Sequence, residues 1–173
     1  MSRFYAGPVR MSQGVEWALH VLLTFAWLED DEPVSTAQLA AQHDLPVAYL
    51  NKQLQALVRA GLLESLPGAR GGFRLARAPA AITLMDVVVA IEGPQEAFRC
   101  TDIREKGMGE AMPRSAFSAP CAVHASMQRA ELAWRRELAA QTVADVRSEA
   151  DRHAPAAAAV VRRAFGRDEK VAR

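Results

Sequence analysis

The sequence predicts a mainly α-helical fold with one small β-hairpin: a winged helix-turn-helix domain followed by a long dimerisation helix. Three observations predict it. Two amphipathic segments are joined by a tight turn at His43, Asp44 and Leu45; a glycine-rich hairpin signal, LLESLPGARGGFRL, follows the second; and a helical apolar pattern runs from about Ala122 to Ala150. Helix, turn, helix and hairpin in that order make a DNA-reading unit with a wing.

The elements follow in order. From Ser12 to Trp27 the residues Val15, Ala18, Leu19, Leu22, Leu23 and Ala26 recur at helical spacing, and the charged run EDDEP ends the helix. Ser35 with Gln38 three residues on is a capping box, so a short second helix starts there and runs to about Gln42. A third helix, about Pro46 to Ala60, places Leu50, Leu54, Leu57 and Val58 on one face, and Gly61 stands where a left-handed cap belongs. Two short apolar runs around Pro-Gly and Gly-Gly then read as a hairpin. ITLMDVVVAIEG is a short buried helix with Thr83 as N-cap and Gly93 as its stop. The stretch FRCTDIREKGMGEAMPRSAFSAPCAVH is neither helix nor strand, and the pattern after it carries Met127, Leu132, Trp134, Leu138, Val143 and Val146. That pattern has more apolar positions than one flank can bury on a small body, which points to a homodimer. The expected divisions are 1–93 for DNA binding, 94–121 for the cysteine segment, 122–150 for the dimerisation helix, and 151–173 for a tail with a last Ala-rich helix.

Composition limits the function. The chain has 173 residues, half of them hydrophobic, with 21 Lys and Arg against 20 Asp and Glu. A formal charge of +1 excludes a strongly basic, non-specific nucleic-acid binder but permits a local basic patch. Such a patch is present: between Tyr49 and Arg77 stand Lys52, Arg59, Arg70, Arg74 and Arg77 with Glu64 as the one acid. Tyr49, Asn51, Lys52, Gln53 and Gln55 lie off the leucine face of the third helix and suit phosphate or base-edge contact. With Arg59, Arg70, Gly71 and Arg74 they form the expected DNA surface, its partner a double-stranded operator. No apolar run has signal-peptide or membrane-spanning length, so the expected location is cytoplasmic. Nothing resembles a Walker loop, a dinucleotide fingerprint or a nucleophile elbow, and GARGGF leads into a strand rather than a phosphate-binding helix; no enzyme activity or small-molecule substrate is expected.

The chain's two cysteines, Cys100 and Cys121, both lie in the irregular segment. In a reducing compartment such residues are buried apolar groups, metal ligands or redox groups more often than a disulfide. Cys121 and His124 form a C-x-x-H pair, so zinc on Cys100, Cys121 and His124 is one reading; His20, one helical turn from Glu16, is another candidate ligand.

YLNKQLQALVRAGLLES, GARGGFRLAR and ITLMDVVVAIEG, in this order and spacing, resemble the bacterial Rrf-type (Rrf-two) winged-helix transcriptional regulators, over roughly Gly14 to Val146. The family's wing commonly has Arg before its first glycine; this chain has Pro67 before Gly68, leaving Arg70 to take that contact. The resemblance implies an iron–sulfur cluster between the short helix and the dimerisation helix, usually on three cysteines, where this chain has two. GVEWALH, QHDLPVAYL, FRCTDIR and PCAVHASM resemble a redox-sensing branch of the family. That likeness implies a [2Fe-2S] cluster on Cys100, Cys121, Glu16 and His43, with Trp17 as a redox-responsive neighbour, and operator affinity set by the cluster's redox state. The alternative is a regulator of the same fold that senses through zinc or free thiols.

Overall fold

The computed structural model of the chain describes residues 11–167 except Ala69. The outer ends of the first and last predicted segments therefore lie outside the described residues.

Helix α1 (Gln13–Leu28) is the hub: Val15, Ala18, Val21, Leu22, Phe25, Ala26 and Leu28 are buried along it. It ends at Glu29, whose backbone is left-handed at φ 56°. Helix α2 (Thr36–His43) starts with the expected capping box, in which Gln38 N–H donates to Ser35 Oγ (3.3 Å) and Ser35 N–H to Gln38 Oε1 (3.0 Å). Helix α3 (Val47–Arg59) buries Leu50, Leu54 and Leu57 completely. At about 1.5–3 kcal/mol for each side chain removed from water, these three leucines fix which face of α3 turns inward, and so which residues turn outward.

The wing is an antiparallel pair, β1 (Leu63–Leu66) and β2 (Gly72–Leu75), with Glu64 opposite Arg74 and Ser65 opposite Phe73. It is tied to the helical body by a bridge in which Val34 and Phe73 exchange N–H···O bonds of 2.9 Å. Gly72 is required at that crossing. Its φ is +155°, and a Cβ there would stand 2.4 Å from the Val34 carbonyl oxygen. Helix α4 (Leu84–Glu92) has the predicted Thr83 cap, reciprocated by Asp86, and stops at Gly93 with φ 91°.

The helix expected over 122–150 is two helices, α5 (Ala122–Ala140) and α6 (Val143–His153). Gln141 is extended, Thr142 forms a capping box with Asp145, and the segment pairs with the strand-like entry to α4: Leu84 N–H donates to Gln141 O and Val143 N–H to Ile82 O, both at 2.9 Å. The T-x-x-D signature of this start is present in the sequence, but the continuous apolar pattern masks it. Helix α6 and the last helix α7 (Ala157–Ala164) fold back onto α1. Trp27 Nε1 donates to Asp151 (2.7 Å), Arg147 to Ala26 O (2.8 Å), and Arg167 Nε pairs with Asp30 (2.8 Å). The body thus claims α6 and α7. Helix α5 buries only Glu131, and Val123, Met127 and Leu132 stand 62%, 42% and 50% exposed along it. Among the described residues no helix is long and apolar enough to cross a membrane.

Candidate nucleic-acid interface and thiol site

With its leucines inward, α3 turns Tyr49, Asn51, Lys52 and Arg59 outward, all exposed. Arg70 is exposed at the wing tip, and Gly71 beside it has no room for a side chain, since a Cβ would meet the Leu66 carbonyl oxygen at 2.1 Å. Each of these predicted residues except Gly71 is exposed. Two predicted members differ. Gln53 is 6% exposed and lies against Gly14 of α1, where a Cβ would meet its amide atoms at 3.0 Å. The leucine stripe is wide enough to draw it in, because its flat amide packs on a glycine. Arg74 forms an ion pair with Glu64, its cross-strand partner, so its charge is already answered within the wing. Arg77 is likewise engaged, donating to Gly61 O (3.0 Å) and Ala60 O (3.1 Å).

The recognition helix is coupled to α1 by a second contact: the Trp17 and Tyr49 rings meet edge to face, 5.0 Å apart at 77°. Glu16, beside Trp17, is exposed, and with His20 it lines an open, mostly apolar groove of about 480 Å³ that Val15, Leu19, Leu23 and Val146 also border. His43 closes α2; its Nε2 is 3.1 Å from Thr24 Oγ1, and its ring lies 6.4 Å from that of His20. Burial, with the His20 ring next, holds the His43 imidazole below its ordinary pKa.

The two thiols are a separate group. Both are free and half-buried. Cys121 stands at the N-cap position of α5 but makes no side-chain cap hydrogen bond. The nearby His124 backbone first, with the Val123 backbone, Cys100 and the Arg104 charge, holds the Cys121 thiol below its ordinary pKa. Arg104 is a member that the sequence alone does not single out, although it stands four residues from Cys100 in FRCTDIR. It grips Asp102 with two bonds (2.6 and 2.8 Å), donates to Ala119 O (3.1 Å), and lies 5.8 Å over the Phe117 ring. This tie draws the two ends of the irregular segment together. His124 Nδ1 is buried without a partner, and the ring lies 6.4 Å from Phe98.

Of the four predicted cluster ligands, Glu16 lines the groove with His20, His43 stands at the end of α2, and Cys100 and Cys121 lie at the two ends of the irregular segment. Among the described residues no three His, Cys, Asp or Glu side chains gather to hold a metal ion, which applies equally to Cys100, Cys121 and His124 as a zinc site.

A model of the Rrf2 family, described as an iron-dependent transcriptional regulator, matches residues 11–149. The HTH-type transcriptional regulator YffB of Lactococcus lactis is 31% identical over 141 residues, covering 82% of this chain and 88% of that protein. Protein rrf2 of Nitratidesulfovibrio vulgaris is 28% identical over 142 residues, 82% of this chain and 89% of that one. The HTH-type regulator YwgB of Bacillus subtilis is 40% identical over 85 residues, and the match spans 54% of its length. Among solved structures, CymR, the global cysteine regulator of B. subtilis, superposes with a TM-score of 0.62 at 23% identity over 82% of this chain and 98% of that one. IscR of T. potens gives 0.63 at 20% identity over 84% and 91%. At these identities the two structures establish the fold.

Proposed function

The chain belongs to the Rrf2 family of transcriptional regulators, and from that premise we propose that it is a cytoplasmic, dimeric regulator that binds a double-stranded DNA operator and senses through the Cys100/Cys121 segment. Its relatives are transcriptional regulators rather than enzymes. One observation carries the DNA reading: Tyr49, Asn51, Lys52 and Arg59 are exposed on the outer face of α3, and Arg70 is exposed at the wing tip. That arrangement combines base-edge readers with phosphate-binding cations on one surface. The dimer is supported by α5, along which Val123, Met127 and Leu132 are exposed.

The finer reading is a [2Fe-2S] cluster. Such a cluster needs four ligands, and among the described residues no three candidate ligands gather. The cluster reading takes Cys100, Cys121, Glu16 and His43 as the ligands, the set that the family likeness implies. The second reading, sensing by the thiols without metal, rests on two free, half-buried cysteines, of which Cys121 is held below its ordinary pKa.

Iron and sulfide analysis of anaerobically purified full-length protein, with operator binding measured on the same sample, tests both. The cluster reading expects about two iron and two sulfide per protomer, lost in Cys100→Ala. Metal-free protein whose operator affinity still changes on thiol oxidation supports the second reading, and protein that binds no promoter DNA in either state overturns the proposal.

A further inference from the structure

We propose that Arg167, beyond the span matched by the family model, is a positioning residue for operator binding: it holds the connection between α1 and α2, to which the wing is joined, and through it the place of Arg70 on DNA. The proposal rests on the operator-binding reading and adds to it a contact from the far end of the chain.

The end of α1 is built to receive cations. Its last carbonyl groups have no partner within the helix and carry partial negative charge. Arg147 of α6 donates to Ala26 O (2.8 Å) and Arg162 of α7 to Trp27 O (3.3 Å), and both arginines also pair with Glu29. Helix α7 is seated by Val161 and Phe165, which pack against the core. It then ends in a Schellman turn: Gly166 is left-handed at φ 68°, its N–H donates to Arg163 O (3.0 Å), and Arg167 N–H reaches back to Arg162 O (2.8 Å). That turn, which favours glycine, fixes the direction in which the chain leaves α7.

Arg167 meets the acidic run EDDE that follows α1. Its Nε lies 2.8 Å from Asp30 Oδ2, and its guanidinium also pairs with Glu32. Asp30 is itself folded onto the connection, accepting the Glu32 N–H on Oδ1 (3.0 Å). The Arg167 side chain is 14% exposed, so these pairs are largely withdrawn from the water and salt that weaken surface ion pairs. Two residues after Glu32, Val34 exchanges backbone bonds with Phe73 of β2, and Ser35 then caps α2. The connection therefore has Arg167 on one side and the wing on the other. The family match ends at residue 149, so α7 and Arg167 lie outside it.

The experiment uses the full-length protein and a labelled DNA duplex that the wild-type protein selects from a random-sequence pool. Arg167→Ala should weaken binding about two- to thirtyfold, the range for a residue that acts through intervening packing, while sedimentation is unchanged. Arg167→Lys, which keeps the charge, should recover most of the loss. Hydrogen exchange at the Val34 and Phe73 amides should quicken in Arg167→Ala while the amides of Leu22 and Leu54 keep wild-type protection, which separates a loosened connection from general destabilisation. In an Arg70→Ala background the same substitution should change affinity by less than about twofold, because the contact it positions is gone. Wild-type affinity in Arg167→Ala, unchanged exchange at Val34 and Phe73, or an equal loss with and without Arg70 would each overturn the proposal. A pool from which the wild-type protein selects no duplex instead overturns the operator-binding reading, and the exchange measurement, which uses no DNA, keeps the two failures distinct.

Discussion

Gln53 of the recognition helix lies against Gly14 of α1, its amide atoms 3.0 Å from where a Cβ on that glycine would stand. A polar residue in the middle of an otherwise outward-facing run, NKQ, is thereby part of the core, and it links the DNA-reading helix to the helix that carries Glu16 and Trp17.

Gln53→Ala should leave a void between α1 and α3 and lower stability by about 1–3 kcal/mol, the usual range for a truncation that opens the core. It should reduce operator affinity through helix position while the slope of log affinity against log salt stays at its wild-type value. Denaturant unfolding and fluorescence anisotropy across a salt series check this. A reduced slope with undiminished stability would return Gln53 to the DNA surface.

The cations divide by whether the fold has already paired them. Operator affinity of a dimer that neutralises about 6–10 phosphates should fall about 10³–10⁵-fold between 50 and 200 mM salt. Lys52→Ala and Arg70→Ala should each lower the salt slope by about one unit for every phosphate that the side chain neutralises. Arg74→Ala should move it less, because Glu64 already neutralises Arg74. An Arg74 effect equal to that of Arg70 would show that the pair opens on DNA.

Dimerisation is expected to rest on α5 alone, since α6 and α7 are packed into the body. Leu132→Arg, at a site 50% exposed in the protomer, should leave the unfolding midpoint nearly unchanged at low concentration and convert the dimer to monomer in sedimentation at micromolar protein. A variant that remains dimeric would remove α5 from the interface.

The start of α6 gives a pH prediction. Hydrogen bonds from the Thr142 hydroxyl and backbone N–H hold the Asp145 carboxyl below its ordinary value of 3.8. A folded-state pKa that is depressed contributes stability above the unfolded value and loses it as pH falls through the folded one. Asp145→Asn should therefore be less stable than wild type near neutrality, with the difference shrinking as pH falls below 3.8. Urea midpoints measured from pH 7 downward test it; a difference that does not vary with pH would exclude the carboxylate's charge as the cause.

Much of the fold is legible in the sequence because its signals are local. Ser35 with Gln38, Thr83 with Asp86, Gly61, Gly93 and the leucines of α3 each act over one or two turns, and each stands where the sequence places it. The outward placement of Tyr49, Asn51, Lys52 and Arg59 follows from the leucines, since a helix that buries one face must show the other. The family likeness comes from the order of these same pieces.

Tertiary structure decided what depends on neighbours distant in sequence. The break at Gln141 and Thr142 rests on backbone pairing with Ile82 and Leu84, so a continuous apolar periodicity could not reveal it. Gln53 turned inward because Gly14 leaves room for its amide, and Arg74 was neutralised because strand register puts it opposite Glu64. The thiol site shows the same division. Two cysteines in one irregular segment could be read from the sequence. That Arg104 ties the ends of their loop, through Asp102 and the Ala119 carbonyl, is a consequence of chain packing, because burial and charge pairing are settled between elements rather than within them.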